Sequence, residues 1–394
     1  MKKPTTPMTP TTLTKPITLM TATEPRAVPF FAYPHIFTSS QADLMRIVED
    51  VGRRGAFIMQ QDLISFENNL SRFLNVKHAL GLGNATDGLH FAARAAGIGP
   101  GDEVILSSHT MVATAAAIHF AGATPVPVDC GPDHLISAAA AEAAVTSRTR
   151  AIMPTHLNGR TCNMDALQAV ADKHGLLIVE DAAQALGSRF KGRCAGTFGV
   201  AGAISFYPAK VLGCLGDGGA VTTNDQAAYE RVYELRDHGR NTKGDIVSWG
   251  LNSRLDNLQA ALLDFQLKTY EKVVSRRRHL ASLYTERLKA VAELVLPPAP
   301  DCDPDHFDVY QNYEIEAEKR DDLKQHLKDQ GIGTLIQWGG QAVHQLKALG
   351  FTQHLAYTDW LFNRMLMLPM NMSLSDDDVH YVCDSVCSFY GYAQ

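Results

Sequence analysis

Asp181 and Lys210 are the two side chains in this 394-residue sequence whose types and spacing point most directly to chemistry. Asp181 closes the apolar run LLIV at 176–179, directly after Glu180, and Lys210 follows a second apolar run at 202–207 through Pro208 and Ala209. A glycine-rich loop comes next, VLGCLGDGG at 211–219. Open α/β sheets place their ligands at the carboxyl ends of buried strands, so the two residues are candidates to face one pocket. A carboxylate and an amine on neighbouring strand ends are what pyridoxal phosphate (PLP) chemistry requires: the lysine forms a Schiff base and the carboxylate keeps the pyridine nitrogen protonated. Each residue also has a plainer reading, the lysine as a solvated loop residue and the aspartate as a helix cap, and spacing alone leaves these open.

The elements that must position such a pair are regular. After Lys77, short apolar strands (HALGLG, EVILSS, ATPVPVD, RAIMPTHL, LLIVED, GAISFY, GAVTTN) alternate with helical stretches such as TDGLHFAARAAG, VATAAAIHFAG and MDALQAVADKHG. That alternation predicts an α/β fold with a mostly parallel sheet covered on both faces. Upstream, apolar residues at helical spacing predict two helices between Ser39 and Leu74. Downstream, one long helix is expected over about 256–294. Beyond a Pro- and Asp-rich loop, a strand (YQNYEIEA), a helix (RDDLKQHLKDQG) and a strand (GTLIQW) predict a smaller C-terminal α+β domain. The final helix is SDDDVHYVCDSVCSFY, with aspartates in its first turn that favour the helix dipole. The expected division is a disordered tail over 1–26, rich in Thr and Pro, a large domain over 27–265 and a small domain over 266–394.

Composition excludes several classes. The net charge of −6, with no clustered Lys and Arg beyond Arg276–Arg278, argues against a nucleic-acid binder. No apolar run approaches the roughly 18 residues that a membrane span needs, and residues 1–26 lack the apolar core of a signal peptide. Seven scattered cysteines without a CxxC pair fit a reducing cytoplasm. Among the 15 histidines no HExxH occurs, so no zinc motif is signalled.

Other motifs carry weaker signals. GLGNATDG at 81–88 sets small residues at a strand end and starts a helix near Thr86, which suits either a phosphate cradle or an ordinary tight turn. Its third position breaks a dinucleotide GxGxxG pattern, so a nicotinamide enzyme is disfavoured. His109 and Met111 follow the strand EVILSS and are in reach of a pocket at its end or pack in the core. Ser205 ends the strand before Lys210, and Asn252 with Arg254 precedes a helix, where Asn is often a cap.

Together GLGNATDGL, GIGPGDEVI, EDAAQALG, SFYPAKVLGCLGDGGAV, RDHG, GLNSRLDNLQAALL, GIGT and LPM, in this order, closely resemble the nucleotide-sugar aminotransferases of the DegT/StrS type. The resemblance runs from about Phe31 to Tyr390 and implies the aspartate-aminotransferase-like fold, PLP fold type I. It implies that Lys210 carries PLP, that Asp181 pairs with the ring nitrogen and that Gln184 contacts the ring hydroxyl. Ala85, Thr86 and Ser205 would hold the phosphate, with Asn252 reaching the phosphate of a neighbouring subunit in a homodimer. Met111 stands where the family usually has an aromatic ring-stacking residue; a thioether also packs on rings. The family's HLYG is His156, Leu157, Asn158, Gly159 here, and its Tyr-Pro-x-Pro run before a histidine is Trp338, Gly339, Gly340 and then His344. His109, Asn158, Tyr313, Trp338 and His344 are the candidate sugar contacts.

The expected function is therefore a cytoplasmic two-stage transamination. An amino acid, glutamate as in the family, leaves its amine on the cofactor, and a keto group of a nucleotide-linked deoxysugar takes it up. Lys210 would move the proton. The rivals are a PLP sugar dehydratase, whose relatives carry His at the position of Lys210, and a non-catalytic regulator, expected to have lost Lys210 or Asp181.

Overall fold

The structure, a computed structural model, describes residues 26–392; the tail expected over 1–26 therefore lies, Arg26 apart, outside the described residues. Seven strands form one sheet in the order His78–Leu82, Gly219–Thr223, Ala201–Ser205, Leu177–Asp181, Thr149–Met153, Glu103–Ser107, Thr124–Val128. Only Gly219–Thr223 runs against its neighbours. The remaining pairings are parallel, as the strand and helix alternation predicts.

Side chains alternate across a strand, and here both faces are covered. Val104, Leu106, Ala151, Met153 and Val179 pack on the face that receives the helices Ala85–Ala95 and Val112–Phe120. Ile105, Ile152 and Ile178 point the other way, into a core with Leu167, Val170 and Ala171 of the helix Met164–His174. The helix Ala85–Ala95 lies so close to the sheet that a Cβ on Gly88 would come within 3.3 Å of the Ala203 Cβ. Glycine there sets the depth at which the helix N-terminus meets the strand ends. The two predicted upstream helices are Gln41–Arg54 and Gln61–Leu74. The second buries Leu63, Phe66, Leu70 and Leu74 along one stripe, each side chain contributing about 1.5–3 kcal/mol.

The C-terminal part is an antiparallel sheet of Leu294–Val295, Tyr313–Ala317 and Met365–Leu368 packed with the helices Arg320–Asp329 and Asp376–Tyr390. Two expectations are corrected. The long helix is two, Asn257–Leu267 and Tyr270–Leu288. Its break is where the Thr269 hydroxyl turns back to the Gln266 carbonyl and Tyr270 is drawn inward, its hydroxyl donating to the Leu186 carbonyl. The second helix then passes from one core, at Tyr270 and Val274, to the other, at Leu280, Tyr284 and Leu288. The segment GTLIQW is not a strand: only Leu335 pairs, with Met367, and Trp338 and Gly339 take left-handed φ values of 49° and 68°. A strand cannot continue through such angles. Residues 28–30, expected to belong with the large sheet, run beside the C-terminal part, where Val28 bridges Ile332 and the Pro29 and Phe30 carbonyls accept from Asn371.

Candidate active site

The adjacent acids Glu180 and Asp181 show how a strand end separates two roles. Successive side chains point to opposite faces. Glu180 is fully buried, where its carboxylate accepts the backbone N–H groups of Gly196, Phe198 and Gly199. It also accepts Nε2–H of His156 at 2.9 Å, because His156 Nδ1 is occupied as the acceptor of the Cys162 N–H. Asp181 faces a cavity of about 400 Å³ at the strand ends, a size in the range of ligand sites.

Three threonines hold Asp181 there. Its Oδ2 accepts from Thr114 Oγ1 at 2.7 Å and from Thr155 Oγ1 at 3.4 Å, its Oδ1 accepts the Ala183 N–H, and Thr110 Oγ1 lies 2.8 Å from both other hydroxyls. Sequence reasoning missed these threonines. The available signal was the position of Thr110 and Thr155, three and two residues past strands that end at 107 and 153, with Thr114 one turn further on in the helix Val112–Phe120.

Lys210 lines the same cavity, at the turn whose N–H bonds back to the Tyr207 carbonyl. Its side chain keeps part of its surface open to the cavity, yet the surrounding protein desolvates it enough to lower its pKa to about 8, against the opposing pull of Asp181. An amine with that pKa is still mostly charged near pH 7, but its neutral fraction, the form that attacks an aldehyde, far exceeds that of an unperturbed lysine. Stripped protein is therefore expected to capture the cofactor aldehyde at a rate that rises with pH and levels off above about 8. A rate still climbing towards 10.5, where an unperturbed lysine titrates, would contradict the desolvated amine.

The far end of the cavity is built for an anion. Asn84 caps the helix Ala85–Ala95 by accepting the Asp87 N–H, leaving the free amides of the first turn at the cavity with Ala85 and Thr86. Ser205 lines the same wall. A Cβ on Gly219 would meet the Asn84 carbonyl carbon at 2.5 Å and the Ala85 nitrogen at 2.6 Å, so glycine lets the neighbouring strand close against this turn. An amine, a carboxylate and an anion cradle around one cavity fit PLP: Lys210 for its aldehyde, Asp181 for its ring nitrogen, and Ala85, Thr86 and Ser205 for its phosphate.

Gln184 completes the wall. Its Oε1 accepts the Asn158 backbone N–H at 2.8 Å, and since that group can only donate, the Gln184 amide nitrogen is the atom left for the cavity. Met111, half exposed, lines the rim, and Trp338 closes the opposite side.

The remaining candidates lie outside the cavity lining. Asn158 sits behind Gln184 in a left-handed conformation that Asn tolerates, bonded to Asn312, Gln337 and Glu314. His109 is fully buried behind Trp338, its ring edge-on at 5.3 Å, and burial lowers its pKa to about 4. Tyr313 lies in the core behind the C-terminal sheet, stacked on Tyr284 with its hydroxyl on Thr285, because a strand buried on both faces draws its ring inward. His344 is buried between Ser108 and Asp359. Asn252 is exposed and points at no part of its own chain's cavity lining.

Comparisons with known proteins give the family. The sequence profile of the DegT/DnrJ/EryC1/StrS aminotransferase family matches residues 38–387. The chain is 42% identical over 317 residues to the dTDP-3-amino-3,4,6-trideoxy-alpha-D-glucose transaminase of Streptomyces venezuelae, covering 79% of this chain and 82% of that protein. It is 38% identical over 368 residues to the pleiotropic regulatory protein of Geobacillus stearothermophilus, covering 92% and 98%. The solved structure of S. venezuelae DesV superposes with a TM-score of 0.88 at 37% identity, covering 93% of this chain and all of that one. Solved relatives hold the cofactor in its PLP and PMP forms. With its profile match spanning nearly the whole chain and its fold shared, this protein belongs to the DegT/DnrJ/EryC1/StrS aminotransferase family.

Proposed function

We propose that this PLP-dependent aminotransferase moves an amino group from L-glutamate to a keto group of a nucleotide-linked deoxysugar, giving a nucleotide-linked amino sugar. The observation that carries the reading is Lys210 and Asp181 in one cavity with the amide-lined start of the helix Ala85–Ala95. When bound, the cofactor supplies the electron sink. The chain supplies the rest. Lys210 Nζ would take the proton from the donor carbon and return it, and Asp181, held by Thr114 and Thr155, would supply the negative charge that keeps the ring nitrogen protonated. Gln184 donates from its amide nitrogen. Trp338 and Met111 bound the opening through which a sugar enters.

Dimerisation with shared sites is part of the proposal. Asn252 is exposed, and next to it Trp249 is 94% exposed with Ile246, Val247 and Leu251 also open. A chain seldom leaves such an apolar loop in water unless a partner covers it. A cytoplasmic setting is supported by seven cysteines that are all unpaired. No helix among the described residues is long and apolar enough to cross a membrane. The division near residue 265, with Tyr270–Leu288 joining the parts, belongs to the same reading. Retention of both Lys210 and Asp181 at the cavity weighs against a non-catalytic regulator.

The visible spectrum of the PLP-loaded protein tests this. Glutamate is expected to bleach the yellow band and raise the shorter-wavelength band of the aminated cofactor. A bound chromophore indifferent to glutamate would reject that donor, and a protein that never takes up PLP would reject the aminotransferase reading.

A further inference from the structure

Behind Trp338 lies a buried cluster that the transamination scheme does not use. His109 follows the strand Glu103–Ser107, His134 sits in the turn before the helix Ala138–Ala143, and Glu314 and Glu316 belong to the small-domain strand Tyr313–Ala317. Residues two apart on a strand share a face, so both carboxylates meet the histidines. Glu314 Oε1 lies 2.8 Å from His134 Nδ1 and 3.7 Å from His109 Nε2.

His109 carries an unresolved conflict. Its side chain is fully buried and Nε2 has no hydrogen-bond partner among the described residues. Nδ1 lies 3.3 Å from the His134 carbonyl oxygen, which only accepts, so the ring hydrogen belongs on Nδ1. A neutral His109 then turns a bare lone pair towards a buried carboxylate. A cation between the two relieves that repulsion.

The outer contacts of the cluster are those a metal site needs. His109 Nδ1–H is committed to the His134 carbonyl, His134 Nε2 lies 3.1 Å from Glu316 Oε1, and Glu314 Oε2 accepts from Gln337 Nε2 at 2.6 Å. Such bonds orient metal-binding rings and fix which nitrogen faces the ion. The three inner atoms, His109 Nε2, His134 Nδ1 and Glu314 Oε1, all lie within 4.8 Å of one another. We infer that His109, His134 and Glu314 are the ligands of a divalent transition cation of the zinc class, with a fourth position left for water. Two imidazoles and one carboxylate suit zinc rather than the all-oxygen shells of magnesium or calcium. In the cation-free chain a proton on His134 Nδ1 bridges to Glu314. Metal binding releases that proton to solvent and leaves Nδ1 as a ligand. A cleft of about 50 Å³ lined by Pro132, His134, Asn158 and Tyr310 gives access from outside.

The ion would join the small-domain strand to two loops of the large sheet. Through the Asn158 Nδ2 bond to Glu314 it would also brace the residue that orients Gln184. None of the chemistry at Lys210 enters this argument, and the test reads metal rather than turnover.

The full-length protein, free of any histidine tag, is stripped with a chelator and titrated with Zn²⁺ against a chromophoric chelator. About one equivalent is expected to bind and to raise the melting temperature. Glu314→Gln, which keeps the shape but loses the anionic ligand, is expected to weaken binding by at least about 100-fold, the upper end of what loss of an outer-shell partner alone costs. If that variant does not fold, Glu316→Gln, which removes only the partner of His134, is expected to weaken binding about 10–100-fold. Stripped wild-type protein that takes up no zinc in the titration, or binding that is the same in wild type and variant, would overturn the site and leave a proton-bridged cluster.

Discussion

Replacing Lys210 by alanine is expected to lower the rate of amination of a keto-sugar by at least about 10²–10⁴-fold, the range for losing a positioned acid and base, while the protein stays folded. Two properties of the side chain lead to this outcome. Among the described residues it is the only lysine that lines the cavity, so no neighbouring amine there takes over either the covalent link or the proton. Its pKa in the folded chain is also depressed, to about 8, mainly by desolvation. A lysine with a depressed folded pKa opposes folding wherever it must be charged. That penalty is full below about pH 8, fades as pH rises towards 10.5, and disappears in the alanine variant. The cofactor-free Lys210→Ala protein is therefore expected to melt no lower than wild type at pH 7, the partial exposure of the side chain keeping the gain small. Steady-state amination and thermal melts on one preparation check both halves. Amination at the wild-type rate would remove Lys210 from the chemistry, and a variant that unfolds would show that the side chain holds the loop together.

The largest expected effect on stability comes from Glu180, the residue next to Asp181. Glu180→Ala leaves the buried N–H of Gly196, the half-buried N–H groups of Phe198 and Gly199, and the Nε2–H of His156 without their acceptor. Breaking a buried charged network from one side costs about 3–5 kcal/mol, against a total stability of about 5–15 kcal/mol for an ordinary domain. The loop at 196–199 would lose its anchor to the sheet, and with it the packing of Gly196 against Gly202, where a Cβ on Gly202 would come within 2.4 Å of the Gly196 Cα. Urea unfolding checks the size of the loss. A change under about 1 kcal/mol would mean that water replaces the carboxylate, which a fully buried position does not permit. Two neighbouring acids would thus be separated by assay, one through turnover and the other through stability.

The exposed apolar loop at 246–251 makes a different kind of statement. It concerns assembly, and it sits beside Asn252, a residue that finds no use inside its own chain's cavity. In the proposed homodimer, covering Trp249 and presenting Asn252 to a second cavity would be one requirement met by a single two-fold contact.

What the sequence determined by itself was everything that depends on neighbours along the chain. Strand and helix periodicities follow from which residues alternate or recur within a few positions, so all seven strands of the main sheet and its covering helices were legible. The same local order placed Asp181 and Lys210 at strand ends, and Asn84, Ala85 and Thr86 at a helix start. What only the tertiary structure decided depends on residues far apart in sequence. The threonines around Asp181 come from 110, 114 and 155, and the network behind Gln184 draws Asn158, Asn312 with Glu314, and Gln337 from three separate segments. Tyr313 and His344 read in sequence as possible sugar contacts, and packing buried them instead. The break at Thr269 and the left-handed turn at Trp338 overrode local propensity in the same way. Periodicity reports how one segment divides between core and water; which side chains meet is settled only when several segments compete for the same interior space.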